Sequence, residues 1–225
     1  QIKLRYGLAE RKAPMKRQCV IACAGVMAVA ACGQNIRYVD KVAAQLKPDR
    51  KVVYKNVGQR ALSLHVFNPE GFKDGDRRPA FVTFHGGGWS GRSAEYFYPY
   101  ADEFAQRGMV GGSVEYRLLN KKQGITVFDC VKDARSAIRF IRANARMLGI
   151  DPERIVVSGG SAGGHLAAAT ALFDDVNDPQ DDLSVSCRPD LLVLYYPVID
   201  TSAEGYGQKK IGERWRELSP VDHVK

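Results

Sequence analysis

The pattern of apolar and polar positions predicts alternating strands and helices from residue 51 onwards. Two segments rich in Val, Leu and Tyr, 51–57 and 61–67, flank Gly58-Gln59 and predict a β-hairpin. Short apolar runs bounded by turn residues predict further, mostly buried strands, at 80–84, 110–116, 154–158 and 191–196.

Three helices are predicted between these strands. The first, 99–107, has Pro99 in its first turn and Gly108 as its stop, the second, 127–148, has apolar residues at steps of three and four, and the third, 162–173, is rich in alanine. The middle helix has an N-cap pattern, Thr126 with Asp129, and a stop at Gly149. Its basic residues are mostly off the apolar stripe and are interpreted as a solvated face: Lys132, Arg135, Arg139, Arg142 and Arg146. Strands and helices in alternation predict an α/β fold, a mainly parallel central sheet with helices on both faces.

The N-terminal residues differ from the rest of the chain. Met15-Lys16-Arg17 precedes the apolar run 19–31, which predicts a signal peptide over residues 15–31. Residues 1–14 are interpreted as upstream translated sequence, 32–49 as a polar connector, and 50–225 as one α/β domain. The run 29–32 resembles a lipobox, in which Cys32 is lipidated and anchors an exported bacterial lipoprotein in the outer membrane or periplasm. An ordinary signal peptide with a chance cysteine is the alternative.

Composition and charge narrow the function. The chain has 45% hydrophobic and 26% charged residues, as globular proteins do, and residues 1–31 supply more than half of the net charge of +8. No basic stripe interleaved with aromatics follows, which argues against nucleic-acid binding. No Cys/His spacing predicts a metal site, and no cofactor is implied. Cys130 and Cys187 are either a disulfide, which export permits, or buried thiols.

Two glycine-rich motifs carry the candidate chemistry. Residues 159–164, Gly-Gly-Ser-Ala-Gly-Gly, lie between a predicted strand and a predicted helix, the setting of a nucleophile elbow with Ser161 as nucleophile. Residues 85–88, His-Gly-Gly-Gly, also follow a strand. Bare backbone there lets N–H groups reach the oxyanion of an acyl-transfer reaction. The predicted oxyanion-hole donors are the N–H groups of Gly87, Gly88 and Ala162.

Together the two motifs resemble the α/β-hydrolase superfamily, in particular its hormone-sensitive-lipase-like esterase branch. The segments 114–118, 149–155 and 159–168 strengthen the likeness, which covers about residues 51–225. The chain is most similar to acetylxylan and feruloyl esterase-like members that lack a large cap. This resemblance implies an α/β-hydrolase fold and a serine esterase acting on short acyl, chiefly acetyl, esters of polysaccharides or small molecules.

The likeness is incomplete at the catalytic triad. Members of the branch have an Asp after the next strand and a His near the C-terminus, and neither motif occurs here. His165 is expected to pack inside the helix after the elbow, and His223 to lie in a loop before the missing strand. Asp200 with His223 is the less favoured triad. We therefore expect a C-terminally truncated fragment without its last strands, inactive and poorly soluble.

Other residues receive mainly structural interpretations. His85 is expected to hydrogen-bond the oxyanion loop, and His65 needs no functional role. Aromatic residues after the loop either line the cleft or belong to the core: Trp89, Tyr96, Phe97, Tyr98 and Tyr100. Two other functions stay open, a prolyl-oligopeptidase-like serine peptidase and a non-catalytic surface lipoprotein with a hydrolase fold.

Overall fold

A computed structural model of the protein describes residues 21–23 and 32–224. Within them, seven strands form one sheet in the order β1-β7-β6-β4-β5-β3-β2. The strands are β1 (Ile21–Cys23), β2 (Arg50–Val57), β3 (Arg60–Phe67), β4 (Arg78–Phe84), β5 (Val110–Val114), β6 (Ile150–Gly160) and β7 (Leu191–Tyr195). β2, β3 and β5 pair antiparallel, and all other neighbours pair parallel, as predicted.

The helices are α1 (Cys32–Gln45), α2 (Tyr98–Gln106), α3 (Val127–Ala143), α4 (Ala145–Leu148), α5 (Ala162–Leu172) and α6 (Gln208–Ile211). Short 3₁₀ segments occur at Ala94–Phe97, Lys121–Gln123, Glu213–Leu218 and Pro220–Asp222. No helix in this part of the chain is long and apolar enough to cross a membrane.

Strand β4 shows why helices cover both faces of the sheet. Alternate residues of a strand point to opposite faces. Val82 and Phe84 are buried in the core shared with α3 and α5. Phe81 stacks on Phe104 of α2, with ring centroids 3.6 Å apart, on the other face. The prediction of helices on both faces is therefore confirmed.

Helix α3 begins as predicted, because the Asp129 carboxylate accepts a hydrogen bond from the N–H of Thr126 at 2.8 Å. The predicted continuous helix is interrupted at Asn144, whose side chain donates to the Phe140 carbonyl at 2.9 Å. A short α4 follows and ends at Gly149, at φ +69°.

The interpretation of the basic residues of the predicted 127–148 helix as a solvated face is wrong for two of them. Arg135 and Arg139 are 3% and 8% exposed. Arg139 donates to Asp181 at 2.9 Å and to Asn177 at 2.7 Å, and Arg135 donates to Asn177 at 2.9 Å. These arginines lie beside the apolar stripe and bind the loop at residues 173–190, which a helical period does not reveal.

Several predictions concern the N-terminal residues. The segment 1–14 and most of the predicted signal peptide lie outside the described residues. Loss of the last strands would leave one edge of β7 unpaired, but Ile21–Cys23 pairs in parallel with residues 192–194 along that edge. The predicted connector 32–49 contains helix α1, which begins at Cys32. Lipidation of Cys32 stays a prediction.

Cys130 and Cys187 are both buried free thiols, so of the two alternatives the disulfide is wrong. Burial raises the pKa of the Cys130 thiol, which donates to the Arg117 carbonyl at 3.0 Å. Both cysteines therefore serve as small core residues.

Candidate active site

Ser161 lies on the sharp turn between β6 and α5, at φ +55° and ψ −120°. A non-glycine residue at this φ is strained and persists only where its surroundings hold it. The Ser161 N–H donates to the Tyr195 carbonyl at 3.0 Å, and the Ser161 carbonyl accepts from Val198 N–H at 3.2 Å and His165 N–H at 3.0 Å. Strand β7 and the segment after it therefore fix the turn.

The glycines around Ser161 are required by close approach. A Cβ on Gly163 would overlap the Phe84 carbonyl, and a Cβ on Gly159 would overlap the carbonyl of Gly163. The strand, the turn and the start of α5 thus pack against the end of β4 without space for side chains. This is the elbow geometry that the sequence predicted.

The His85–Trp89 loop, called the oxyanion loop below after its predicted role, lies beside this turn. A Cβ on Gly86 would be 2.8 Å from the Gly160 carbonyl oxygen and 3.4 Å from Ser161 Cβ. Gly87, Gly88 and Trp89 all have positive φ, at 113°, 59° and 60°. The loop therefore presents its backbone next to Ser161.

The carbonyls of this loop have partners while its N–H groups do not. The Gly87 carbonyl accepts from the N–H groups of Ser90 and Gly91, both at 3.1 Å. The Gly88 carbonyl accepts from Lys210 Nζ at 2.9 Å. Within residues 39–224, the N–H groups of Gly87, Gly88 and Ala162 donate to no protein acceptor. Three unused donors beside Ser161 suit an oxyanion, which is what the sequence predicted for them.

The buried His85 side chain supports the loop through a ring contact and a hydrogen bond. Its ring stacks on Tyr116, with centroids 4.3 Å apart, and Nδ1 lies 2.7 Å from the Gly86 carbonyl. Burial lowers the pKa of His85 to about 4, so the ring is neutral and its Nδ1–H donates to Gly86. The predicted hydrogen bond between His85 and the loop is confirmed.

The other histidines are not next to the Ser161 hydroxyl. His165 is fully buried, its Nε2 lies 2.7 Å from the Leu218 carbonyl, and burial lowers its pKa to about 4. His223 packs on Phe173, with ring centroids 4.8 Å apart. Within residues 39–224, no histidine hydrogen-bonds to Ser161 Oγ, and no hydrogen bond joins Asp200 to His223.

Aromatic residues line one side of the elbow. The position of a Cβ on Gly160 lies 2.9 Å from Tyr196 Oη and 3.0 Å from Phe97 Cζ. Tyr100 stacks on Phe97, and burial raises the pKa of its hydroxyl. Phe97, Trp89 and Tyr98 are buried, so the core interpretation holds for these three, although Phe97 also contacts the elbow. Tyr196 is 70% exposed and has φ +38°. The sequence did not indicate its contact with the elbow, because it is the last residue of a predicted strand.

A second segment missed by sequence reasoning, residues 206–211, covers the oxyanion loop. Tyr206 stacks on Trp89, with centroids 5.7 Å apart, and Lys210 donates to Gly88. Gly207, at φ +112°, has its Cβ position 2.8 Å from the Trp89 ring. The glycines flanking Tyr206 were the available indication of a tight turn at this point.

Comparisons with known proteins agree with this geometry. The family model described as BD-FAE matches residues 64–211, more than half of the chain. Carboxylesterase NlhH of Mycobacterium tuberculosis is 34% identical over 144 residues, 62% of this chain and 44% of that protein. Endo-1,4-beta-xylanase B of Butyrivibrio fibrisolvens is 34% identical over 130 residues, 57% of this chain and 20% of that protein.

Among solved structures, esterase 2 of Thermogutta terrifontis, phosphoramylated by tabun, matches with a TM-score of 0.73 and 41% identity. The match covers 78% of this chain and 66% of that one. The same esterase with bound propionate matches with a TM-score of 0.72 and 40% identity over 78% of this chain and 67% of that one. Of the two curated relatives named above, the carboxylesterase and the xylanase, the chain spans less than half the length.

These matches confirm the α/β-hydrolase fold and the esterase branch that the two glycine motifs predicted. The matched region contains the oxyanion loop, the elbow and the segment at 206–211. The chain belongs to the BD-FAE family of α/β hydrolases.

Proposed function

We propose that the full-length protein hydrolyses carboxylic esters with Ser161 as nucleophile. The observation that carries this proposal is the strained Ser161 turn facing three unpartnered N–H groups, those of Gly87, Gly88 and Ala162. Ser161 Oγ attacks the ester carbonyl carbon, and the resulting oxyanion accepts hydrogen bonds from these groups. The alcohol then leaves, and water releases the acid from the acyl-enzyme.

The serine needs a base to accept its proton, and the described residues place none against Oγ. We propose that an Asp and a His of the full-length protein outside this sequence complete the triad. This accords with the chain spanning 44% of one esterase relative and 66% of another.

The preferred substrates are short acyl esters, acetyl above all, on polysaccharides. The relatives support both halves of this proposal, since the Thermogutta esterase has propionate or butyrate bound and another relative is a xylanase. Export and lipid attachment at Cys32 belong to the same proposal, because polysaccharide substrates lie outside the cell. Labelling with a palmitate analogue tests the attachment.

The first test compares wild-type full-length protein with Ser161→Ala on p-nitrophenyl esters of increasing chain length. We expect kcat/KM to be highest for acetate and to fall at least about a thousandfold in the variant. Ser184→Ala, an exposed serine in the 173–190 loop, is the control and should match wild type.

Paraoxon labelling identifies the nucleophile independently. The phosphoryl adduct should appear by mass spectrometry on Ser161 and be absent from Ser161→Ala. Rates that rise steadily to palmitate would contradict the short-acyl proposal, and cleavage of prolyl peptides alone would favour a peptidase. No turnover and no labelling would indicate a binding protein.

A further inference from the structure

The Gly88 carbonyl of the oxyanion loop is anchored by a distant part of the chain. Lys210 Nζ donates to the Gly88 carbonyl at 2.9 Å, although the two residues are 122 positions apart. Lys210 Nζ also lies 3.1 Å from Tyr206 Oη, and the Tyr206 ring stacks on Trp89. Lys210 and Tyr206 therefore contact two successive residues of the loop.

The other carbonyls of the loop have partners much closer in sequence, such as the Leu119 N–H, which donates to the Trp89 carbonyl at 2.7 Å. The Gly86 carbonyl accepts from the His85 ring, and the Gly87 carbonyl accepts from Ser90 and Gly91. The peptide between Gly88 and Trp89 is fixed at the Gly88 carbonyl mainly by Lys210. The Ser90 hydroxyl is a weaker donor to the same oxygen, at 3.4 Å.

The Gly88–Trp89 peptide needs such an anchor. Gly88 is at φ +59° and Trp89 at φ +60°, a region that a tryptophan rarely adopts. Glycine permits several orientations of this peptide, and a flip would relieve Trp89. The flip itself moves the Gly88 carbonyl and the Trp89 N–H. The Gly88 N–H belongs to the preceding peptide, and it keeps its place only while the Gly88 backbone is held, which the bond from Lys210 to the Gly88 carbonyl does.

We propose that Lys210 is a positioning residue of the oxyanion hole, which fixes the Gly88–Trp89 peptide through the Gly88 carbonyl. This inference rests on the proposed esterase function. The ammonium group holds the Gly88 carbonyl, and with it the Gly88 backbone, through a charged hydrogen bond, which is stronger than one from a neutral donor. Removal of Lys210 should therefore weaken transition-state binding more than substrate binding.

The test uses the full-length protein with Lys210→Met, Lys210→Gln and Lys210→Arg. We expect kcat of Lys210→Met to fall about tenfold with KM within about twofold, less than the loss of a direct oxyanion donor. Affinity for a trifluoromethyl ketone, which forms an oxyanion on Ser161, should fall by the same factor. Lys210→Arg should recover most of the activity, and Lys210→Gln should be intermediate.

Lys209→Met is the matched control, because Lys209 is the exposed neighbour on the same short helix. It should retain wild-type kcat and ketone affinity. A kcat of Lys210→Met within twofold of wild type overturns the proposal. A change in KM alone, or an unchanged ketone affinity, overturns it equally. If Lys210→Met does not fold, Lys210→Gln decides by the same criteria, and Lys210→Arg serves as the charged variant that should exceed it in kcat. Wild-type activity in Ser161→Ala would instead overturn the proposed function.

Discussion

Two loops at opposite ends of the sheet are stabilised through different backbone groups, one through its carbonyls and the other through its N–H groups. In the oxyanion loop the carbonyls of Gly86, Gly87 and Gly88 have partners, and the N–H groups of Gly87 and Gly88 are unused. In the loop at residues 173–190, acidic side chains accept from its own N–H groups, as Asp178 does from Gln180 at 3.0 Å.

The difference follows from what each loop must leave available. A site for a developing oxyanion needs free donors, so its loop is anchored through acceptors and contains glycines. The 173–190 loop has no such demand, and side chains from α3 and β2 bind it, among them Lys55 to Asp178 at 2.7 Å. Helix α5 separates the two, since it runs eleven residues, about 16 Å, away from the elbow.

The largest expected effect concerns the 173–190 loop. Arg139→Met should lower the free energy of unfolding by about 4 kcal/mol, because Asp181 would keep a buried and unpaired charge. The pair is 2.9 Å apart, with side chains 9% and 10% exposed. Urea unfolding of the full-length protein measures the loss, and kcat/KM should remain within about twofold of wild type.

Arg146→Met is the control for this variant, because Arg146 is exposed on the neighbouring α4. Its unfolding free energy should be within about 0.5 kcal/mol of wild type. A large loss of kcat in a folded Arg139→Met protein would contradict the separation of the two loops.

The next effect concerns the oxyanion loop. Gly86→Ala should lower kcat roughly a hundredfold, because its Cβ would lie 2.8 Å from the Gly160 carbonyl and displace the donors from Ser161. Gly58→Ala is the control for a distant strained glycine, since its Cβ would contact nothing while its φ of +59° disfavours alanine, so it should lose some stability and keep wild-type kcat. Full activity in Gly86→Ala would show that the loop does not rely on this contact.

Local sequence predicted the parts of the fold and site that local geometry determines. The hairpin at Gly58 and the elbow at Ser161 each follow from a short motif with its own backbone requirement. The helix at Cys32–Gln45 was not predicted, because the segment was interpreted as a polar connector although Ile36, Val39 and Ala43 recur at steps of three and four. It packs beside α2 and the 3₁₀ turn before it.

Non-local contacts account for the rest. Lys210 lies in a polar four-residue helix whose sequence does not indicate that it reaches Gly88. Arg139 has the same sequence appearance as an exposed helix arginine, and its burial depends on where the 173–190 loop returns over α3. Such contacts are set by chain topology rather than by residue spacing.

The smallest expected effect is on how the free energy of unfolding depends on pH, which should differ between the two loops. Burial lowers the pKa of His85 to about 4 in the folded protein, against 6.5 when unfolded. The unfolded chain therefore binds a proton between these values that the folded chain does not. The stability that neutral His85 contributes is present above pH 6.5 and lost as pH falls towards 4. Between pH 7.5 and 4.5 this loss is about 2 kcal/mol.

The 173–190 loop should respond in a lower window. Hydrogen bonds from the hydroxyl and N–H of Ser184 lower the pKa of Asp182, so its contribution is present above the usual carboxylate pKa and lost only below about pH 4. Urea unfolding of wild type and His85→Gln at pH 7.5, 6.0 and 4.5 tests this. The variant should lose about 2 kcal/mol less than wild type over that range, with the share of His165 remaining in both. Equal losses in the two proteins would mean that His85 is protonated in the folded loop and that its neutral ring does not support the Gly86 carbonyl.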